Sequence, residues 1–288
     1  MLAAFDSVDD TKLLSKAVIN EIIGDGKEET GKISEIFASE KAGRKVLLYL
    51  LGRYIILLYL VRVGLFSTYY RRTIISCNKY ATYAFSAGRD ATYFAPEYLA
   101  LLKEGDGNEY TKKDDSTRRK ELIASAEGGS YRFLSDNLFG LLKADPKCTV
   151  FIRAALNCAY ASIEKVKPAM ERLSDIASDK FVVGEENFVE SPAGHQLLKK
   201  IIIQDKIRHS EGGDTFSKML LDQLNAKNSL ESYIGCNRGA FLLVTIMETG
   251  VASLQQLVKD CLKQYGKALG AQSTRGAELL VQKLNLHK

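Results

Sequence analysis

The sequence predicts an all-α chain built as a solenoid of stacked helical repeats, and three observations carry that expectation. Strand signals are scarce, while only 4 prolines and an abundance of Leu, Ala, Lys and Glu favour helix. Four stretches read alike: Gly43–Leu50, Gly194–Ile201, Gly239–Ile246 and Gly276–Lys283. Each has a Gly, then apolar residues three and four places later, which is one helix face opened by a residue without a side chain. The last three of these glycines lie 45 and 37 residues apart. Periods of that size belong to helical units that each bury an apolar face on the next. Such a stack binds along a surface rather than in a pocket.

In chain order, residues 5–24 read as a helix pair or one long helix. Asp9 or Asp10 is its candidate cap, and Leu13, Leu14, Val18, Ile19, Ile22 and Ile23 are its apolar positions. A Gly- and Glu-rich turn, Gly24 to Gly31, precedes a short helix from Ile33 to Phe37, and Gly43 opens the first signature helix. Pro96 to Lys103 resumes helix. Gly105-Asp106-Gly107-Asn108 is a turn and not a calcium loop, because Tyr110 stands where an oxygen ligand is wanted and Thr111 where the Gly should be. Lys112 to Ala126 is a charged amphipathic helix with Leu122 and Ile123 inward. Asp145-Pro146 starts a helix through Val150, Phe151, Ala155 and Leu156, and Pro168 starts another carrying Met170, Leu173 and Ile176. Phe181 to Glu190 is a polar loop, and Ser191-Pro192 enters the second signature helix. Helices follow at roughly 192–208, 214–225, 228–234, 237–248, 250–265 and 273–285.

The segment from Gly52 to about Ala87 breaks this pattern. Val46 to Phe66 is 21 residues of mostly Leu, Ile, Val and Tyr, superficially a membrane span. Arg53 and Arg62 lie inside it, each costing about 2.5 kcal/mol near a bilayer centre, so a buried or loosely packed helix is the better reading and no membrane is expected. Gly52 to Phe85 also holds Arg53, Arg62, Arg71, Arg72 and Lys79 and no acid. Those 5 cations equal the whole net charge of +5, so any anion-binding surface elsewhere must come from local clustering.

The five cysteines, Cys77, Cys148, Cys158, Cys236 and Cys261, form no CxxC pair, and buried thiols in a reducing compartment are expected. His195, His209 and His287 stand far from any cysteine cluster, so no metal site is expected, and His195 is expected to pack or lie on the surface. Neither a Ser/His/Asp nor a Cys/His arrangement is visible, nor a phosphate loop or dinucleotide fingerprint. The reading is a non-catalytic chain without cofactor.

Several strings stand out in order: Ala3-Ala4-Phe5-Asp6, Asp9 to Leu13, Gly43 to Leu51, Lys103 to Asn108, Arg118 to Leu122, Ser191 to His195, Gln204-Asp205-Lys206 and Asn237 to Ala240. Together they resemble the C-terminal half of the Puf-A/penguin branch of Pumilio-like proteins, with its C-terminal penguin-like (CPL) domain. The resemblance covers about 1–51 and 86–288. It implies a Pumilio/armadillo-like α-solenoid of three-helix repeats. It also implies RNA and DNA binding with little sequence preference, a nucleolar, nuclear location, and a part in large-subunit ribosome assembly and translational control on pre-ribosomal particles. The expected organisation is a Pumilio-like repeat at 1–51, an atypical insertion at 52–87 and a C-terminal penguin-like helical repeat domain at 88–288, acting as a monomer. The acid-free, Tyr-rich insertion has the character of a retained intron, with a lineage-specific loop as the alternative. Reading the transcript across codons 50–88 decides between them.

In Pumilio repeats that read RNA, residues one, two and five places after the helix-opening Gly contact one base. Here those trios are Arg44/Lys45/Leu48, His195/Gln196/Lys199, Ala240/Phe241/Val244 and Ala277/Glu278/Val281. None pairs an Asn, Ser or Cys with a Gln or Glu at the fifth place, so no base-reading code is expected. Phosphate attraction remains. The candidate nucleic-acid-binding clusters are Lys41/Arg44/Lys45, Lys112/Lys113, Arg118/Arg119/Lys120 and Lys199/Lys200/Lys206/Arg208, with Arg238 and Arg275 just before two signature glycines. Arg44, Lys45, Arg238 and Arg275 stand at matching helix ends, where they would line one ridge. The competing reading is a protein-docking scaffold without direct RNA contact, which the near-balanced charge outside the insertion favours.

Overall fold

The computed structural model describes residues 13–24, 32–38, 115–144, 148–158, 161–181 and 187–284. The first signature helix, the 52–87 insertion, the Pro96–Lys103 helix and the Gly105–Asn108 turn lie outside the described residues. Among the described residues every regular element is helical. They divide into two compact units, Met1–Asn137 with Val150–Val166 and Leu138–Thr149 with Lys167–Lys288.

In the first unit, α1 (Leu14–Ile23) packs on α2 (Ile33–Ala38). Its buried stripe is Ser15, Ile19 and Ile23, one turn apart. Leu13, Leu14 and Val18, expected as core, are exposed, because a stripe at 15, 19 and 23 turns 14 and 18 about 100° away. The helix α3 (Asp115–Ala144) is 30 residues long, where the sequence suggested an end at Ala126. Gly128-Gly129 does not break it. A Cβ on Gly129 would lie 2.5 Å from the Ile23 carbonyl oxygen, so the missing side chain admits the end of α1. Leu122 and Ile123 are buried as expected. The Tyr131 hydroxyl donates to the Ala155 carbonyl on α4 (Cys148–Leu156) at 2.7 Å, and Glu127 accepts from the Ser162 N–H at 2.8 Å.

Helix α5 (Ile163–Ala177) carries Pro168 as its sixth residue, not at its start. The first turn is held instead by the Ser162 carbonyl, which accepts from the N–H groups of Lys165 and Val166. Pro168 sits on the exposed side with Glu164 and Lys165, where water reaches the carbonyl that the proline leaves without a donor.

The second unit continues with α6 (Pro192–Ile203), α7 (Asp205–Ser210), α8 (Phe216–Ala226), α9 (Leu230–Gly235), α10 (Asn237–Glu248), α11 (Ala252–Leu262), a 3₁₀ turn (Lys263–Tyr265), α12 (Gly266–Gly270) and α13 (Arg275–Lys283). The expected single helix 192–208 is broken at Gln204, and α12 went unforeseen. Three rows emerge from the packing. The glycine-opened helices stack as α6 on α10 on α13, α8 lies on α11, and α9 lies on α12. Thus α8–α9–α10 and α11–α12–α13 are successive three-helix repeats of one solenoid, with Leu197, Leu198, Leu242, Leu243 and Leu280 buried in the row of glycine helices. Back-reaching bonds tie the first of these repeats to α5: the Tyr233 hydroxyl donates to the Ala177 carbonyl at 2.7 Å and the Ser229 hydroxyl to the Ser178 carbonyl at 2.6 Å.

Candidate nucleic-acid interface

The signature glycines are close-approach sites. A Cβ on Gly194 would stand 2.0 Å from the Phe188 carbonyl oxygen, one on Gly239 2.5 Å from that of Tyr233, and one on Gly276 2.6 Å from that of Asn237. Each is incompatible with a side chain, so the sequence spells Gly wherever one repeat seats on the chain before it. Caps hold the same ends. The Ser191 hydroxyl accepts from the Gly194 N–H, the Cys236 thiol from Gly239 and the Thr274 hydroxyl from Ala277. The Gly276 N–H donates to the Asn237 side-chain oxygen at 2.8 Å.

This docking puts the residues flanking the glycines on one edge. Arg275 precedes Gly276, which seats on Asn237, and Arg238 follows Asn237. On the other side of α10, Arg238 and Lys199 both act on His195 and hold its imidazole below the ordinary value of 6.5; burial is the larger cause and the two cations add to it. His195 Nδ1 is buried without a hydrogen-bond partner. The structure therefore brings Lys199, which the sequence placed in another cluster, to the edge of Arg238 and Arg275, which it had placed on one ridge, and adds His195 between Lys199 and Arg238. The sequence signal for His195 was its place directly after a signature glycine.

The cations differ in how free they are. Lys199, Lys200, Lys206 and Arg238 make no ion pair among the described residues. Arg275 is held by Glu278 at 3.0 Å with both ends largely exposed, a contact that water and salt weaken. Arg208 is committed to the buried Asp205 at 2.9 Å. Lys120 is exposed on α3, and Arg118 and Arg119 lie in the same helix with their side chains outside the description; Lys41, Arg44, Lys45, Lys112 and Lys113 fall outside the described residues.

The base-reading positions of the later repeats point elsewhere. Ala240, Val244 and Ala277 are buried, and Glu278 is taken by Arg275. His195, Gln196 and Lys199 do reach the surface. No group of three His, Cys, Asp or Glu among the described residues could hold a metal ion. Cys148 and Cys261 are buried and Cys158 and Cys236 half-buried, and none of the four is in a disulfide among the described residues. Burial pushes the Cys236 thiol up, which keeps it protonated. No described helix is long and apolar enough to cross a membrane. A concavity of about 550 Å³ beside Asn225, Leu257, Asp260 and Cys261 is an open groove.

Comparison with known proteins agrees with this architecture. The CPL (NUC119) domain family matches residues 78–214. Pumilio homolog 3 of Danio rerio is 31% identical over 99% of this chain, and Protein penguin of Drosophila melanogaster 33% identical over 35% of it. A crystal structure of human Puf-A superposes with a TM-score of 0.67 at 29% identity over 98% of the chain, and one of human Puf-A in complex with DNA with a TM-score of 0.66. The chain spans 38% of the Danio rerio relative and 46% of the chain in the first human structure. By its repeats, its glycine-opened helices and these likenesses, the chain is similar to Puf-A/penguin-type helical-repeat proteins and carries a CPL-domain match at 78–214.

Proposed function

We propose that the chain binds nucleic acid through its phosphates, with little regard for sequence, along the edge formed by Lys199, Arg238 and Arg275. The observation that carries this is the convergence of cations from three successive glycine helices on one edge, with Lys199 and Arg238 making no ion pair among the described residues. The DNA held by human Puf-A supports it. Burial of Ala240, Val244 and Ala277 removes the side chains that would read bases from the last two repeats. What remains is charge, and charge alone does not distinguish sequences. We further propose, on the strength of the family, a nucleolar role on pre-ribosomal particles in large-subunit assembly and translational control, without catalysis.

The test is binding to unrelated RNA and DNA oligonucleotides across a salt series. With about three phosphates engaged, log affinity falls against log salt with a slope near −2 to −3. Lys199→Glu with Arg238→Glu flattens that slope by about one to two and weakens all sequences alike. Affinity that ignores salt, or that favours one oligonucleotide over its scrambled version, overturns the reading.

A further inference from the structure

The C-terminal end of α6 and the short α7 form a second surface with a different character. Lys199 and Ile203 are one turn apart on α6, Lys206 and Ile207 lie in the first turn of α7 just past the break at Gln204, and all four are exposed while Ile201, Ile202 and Asp205 between them are buried, so they lie on the solvent side of the kinked helix pair. Ile203 and Ile207 are 45% and 39% exposed. From Pro192 to Ser210 the one acid is Asp205, and it is wholly buried, accepting from Arg208, the N–H groups of Phe216 and Ser217, and the Ser217 hydroxyl. These two helices therefore show cations and aliphatic carbon but no exposed carboxylate of their own, the next acid in the chain being Glu211. Lys199 and Lys206 make no ion pair among the described residues.

We propose that this α6–α7 face docks an acidic segment of a partner protein that carries large apolar side chains. Charge complementarity selects the sign: an anion-rich partner gains from two lysines without an ion pair among the described residues, on helices with no exposed acid of their own. The isoleucine pair selects the class. A sugar-phosphate strand satisfies the lysines but offers two branched aliphatic side chains little, because bases stack on aromatic planes. A peptide with apolar residues one helical turn apart, flanked by Glu or Asp, covers both isoleucines and pairs both lysines at once. The Gly52–Phe85 segment has the wrong sign to cover the face itself, with five cations and no acid. Ile203 stands eight residues along α6 from His195, about 12 Å, so the surface extends away from the Arg238–Arg275 edge and shares only Lys199 with it.

The experiment uses the full chain and two probes: a synthetic helical peptide of Glu and Leu with the leucines at four-residue spacing, and a mixed-sequence RNA oligonucleotide. Control peptides replace Leu by Ser or Glu by Lys. The Glu–Leu peptide binds and both controls fail. Ile203→Ser with Ile207→Ser weakens the peptide about tenfold and leaves RNA affinity unchanged. Both side chains are exposed, so the fold survives, and circular dichroism verifies it. Peptide binding that is absent, or indifferent to the double substitution, sinks the proposal. So does a parallel loss of RNA, which assigns the face to nucleic acid. Peptide binding without any RNA binding sustains this inference and removes the nucleic-acid reading instead.

Discussion

His195 is held neutral by its surroundings, and the sign of that effect is measurable. Burial first, then Lys199 and Arg238, push its imidazole below 6.5. The unfolded chain therefore binds the proton that the folded chain resists. Stability linked to His195 is whole above 6.5 and is lost as pH falls from there through the lowered folded value. The midpoint of urea unfolding falls between pH 7.5 and 5.5, and His195→Asn flattens that fall. Fitting both profiles isolates His195 from the carboxylates, which both proteins share. A phosphate between Lys199 and Arg238 would cancel part of their effect, so bound oligonucleotide moves the imidazole back up, visible in its ring-proton shifts. Glycines divide at the same scale. Gly194→Ala forces a Cβ against the Phe188 carbonyl and costs about 1–3 kcal/mol. Gly140→Ala, with nothing within 4 Å on an exposed stretch of α3, adds about 0.5–1 kcal/mol. Thermal unfolding of the pair separates packing glycines from incidental ones.

Among the helices, α6, α7 and α8 are joined by one buried carboxylate. Asp205 starts α7, yet its oxygens accept from the first two N–H groups of α8, capping a helix eleven residues away. Asp205→Ala leaves those donors and the Arg208 guanidinium without their acceptor and costs about 3 kcal/mol, read by denaturant titration; Asp205→Asn recovers part of it. This is also where the sequence runs out. Periodicity marks which helix face is apolar, so Leu197, Leu242 and Leu280 were legible, and so were the glycines that open their helices. Nothing local distinguishes Asp205 from an exposed acid, because the groups that make its burial tolerable stand on another element. The same limit hid the reach of Tyr131 and Tyr233 to distant carbonyls. It also hid that the helix expected to end at Ala126 runs on through Gly129, which is a contact with α1. Of the interface, the cations were legible, and so was a shared ridge for Arg238 and Arg275; that Lys199 joins them required the row of α6, α10 and α13. Which of them are free depended on partners such as Glu278 for Arg275 and Asp205 for Arg208.

Across the second unit, the repeat itself sets how much nucleic acid is engaged. Neighbouring stacked helices stand about 8–10 Å apart, and a strand advances about 3.4 Å per nucleotide when stacked. Cations carried one per repeat therefore meet about every third phosphate, and the edge from Lys199 through Arg238 to Arg275 spans two such steps. Affinity should climb steeply with oligonucleotide length up to about seven nucleotides and then grow only as the number of equivalent registers grows. A docking pocket would instead saturate at two or three nucleotides. Charge reversal at the end of the edge tells the two apart: Arg275→Glu should shorten the length at which affinity levels off while leaving the binding of shorter oligonucleotides near Lys199 and Arg238 nearly intact. Fluorescence polarisation of a length ladder, with and without that substitution, measures both. A length profile that is flat, or that Arg275→Glu lowers uniformly, would mean that the row of helices does not act as a ruler.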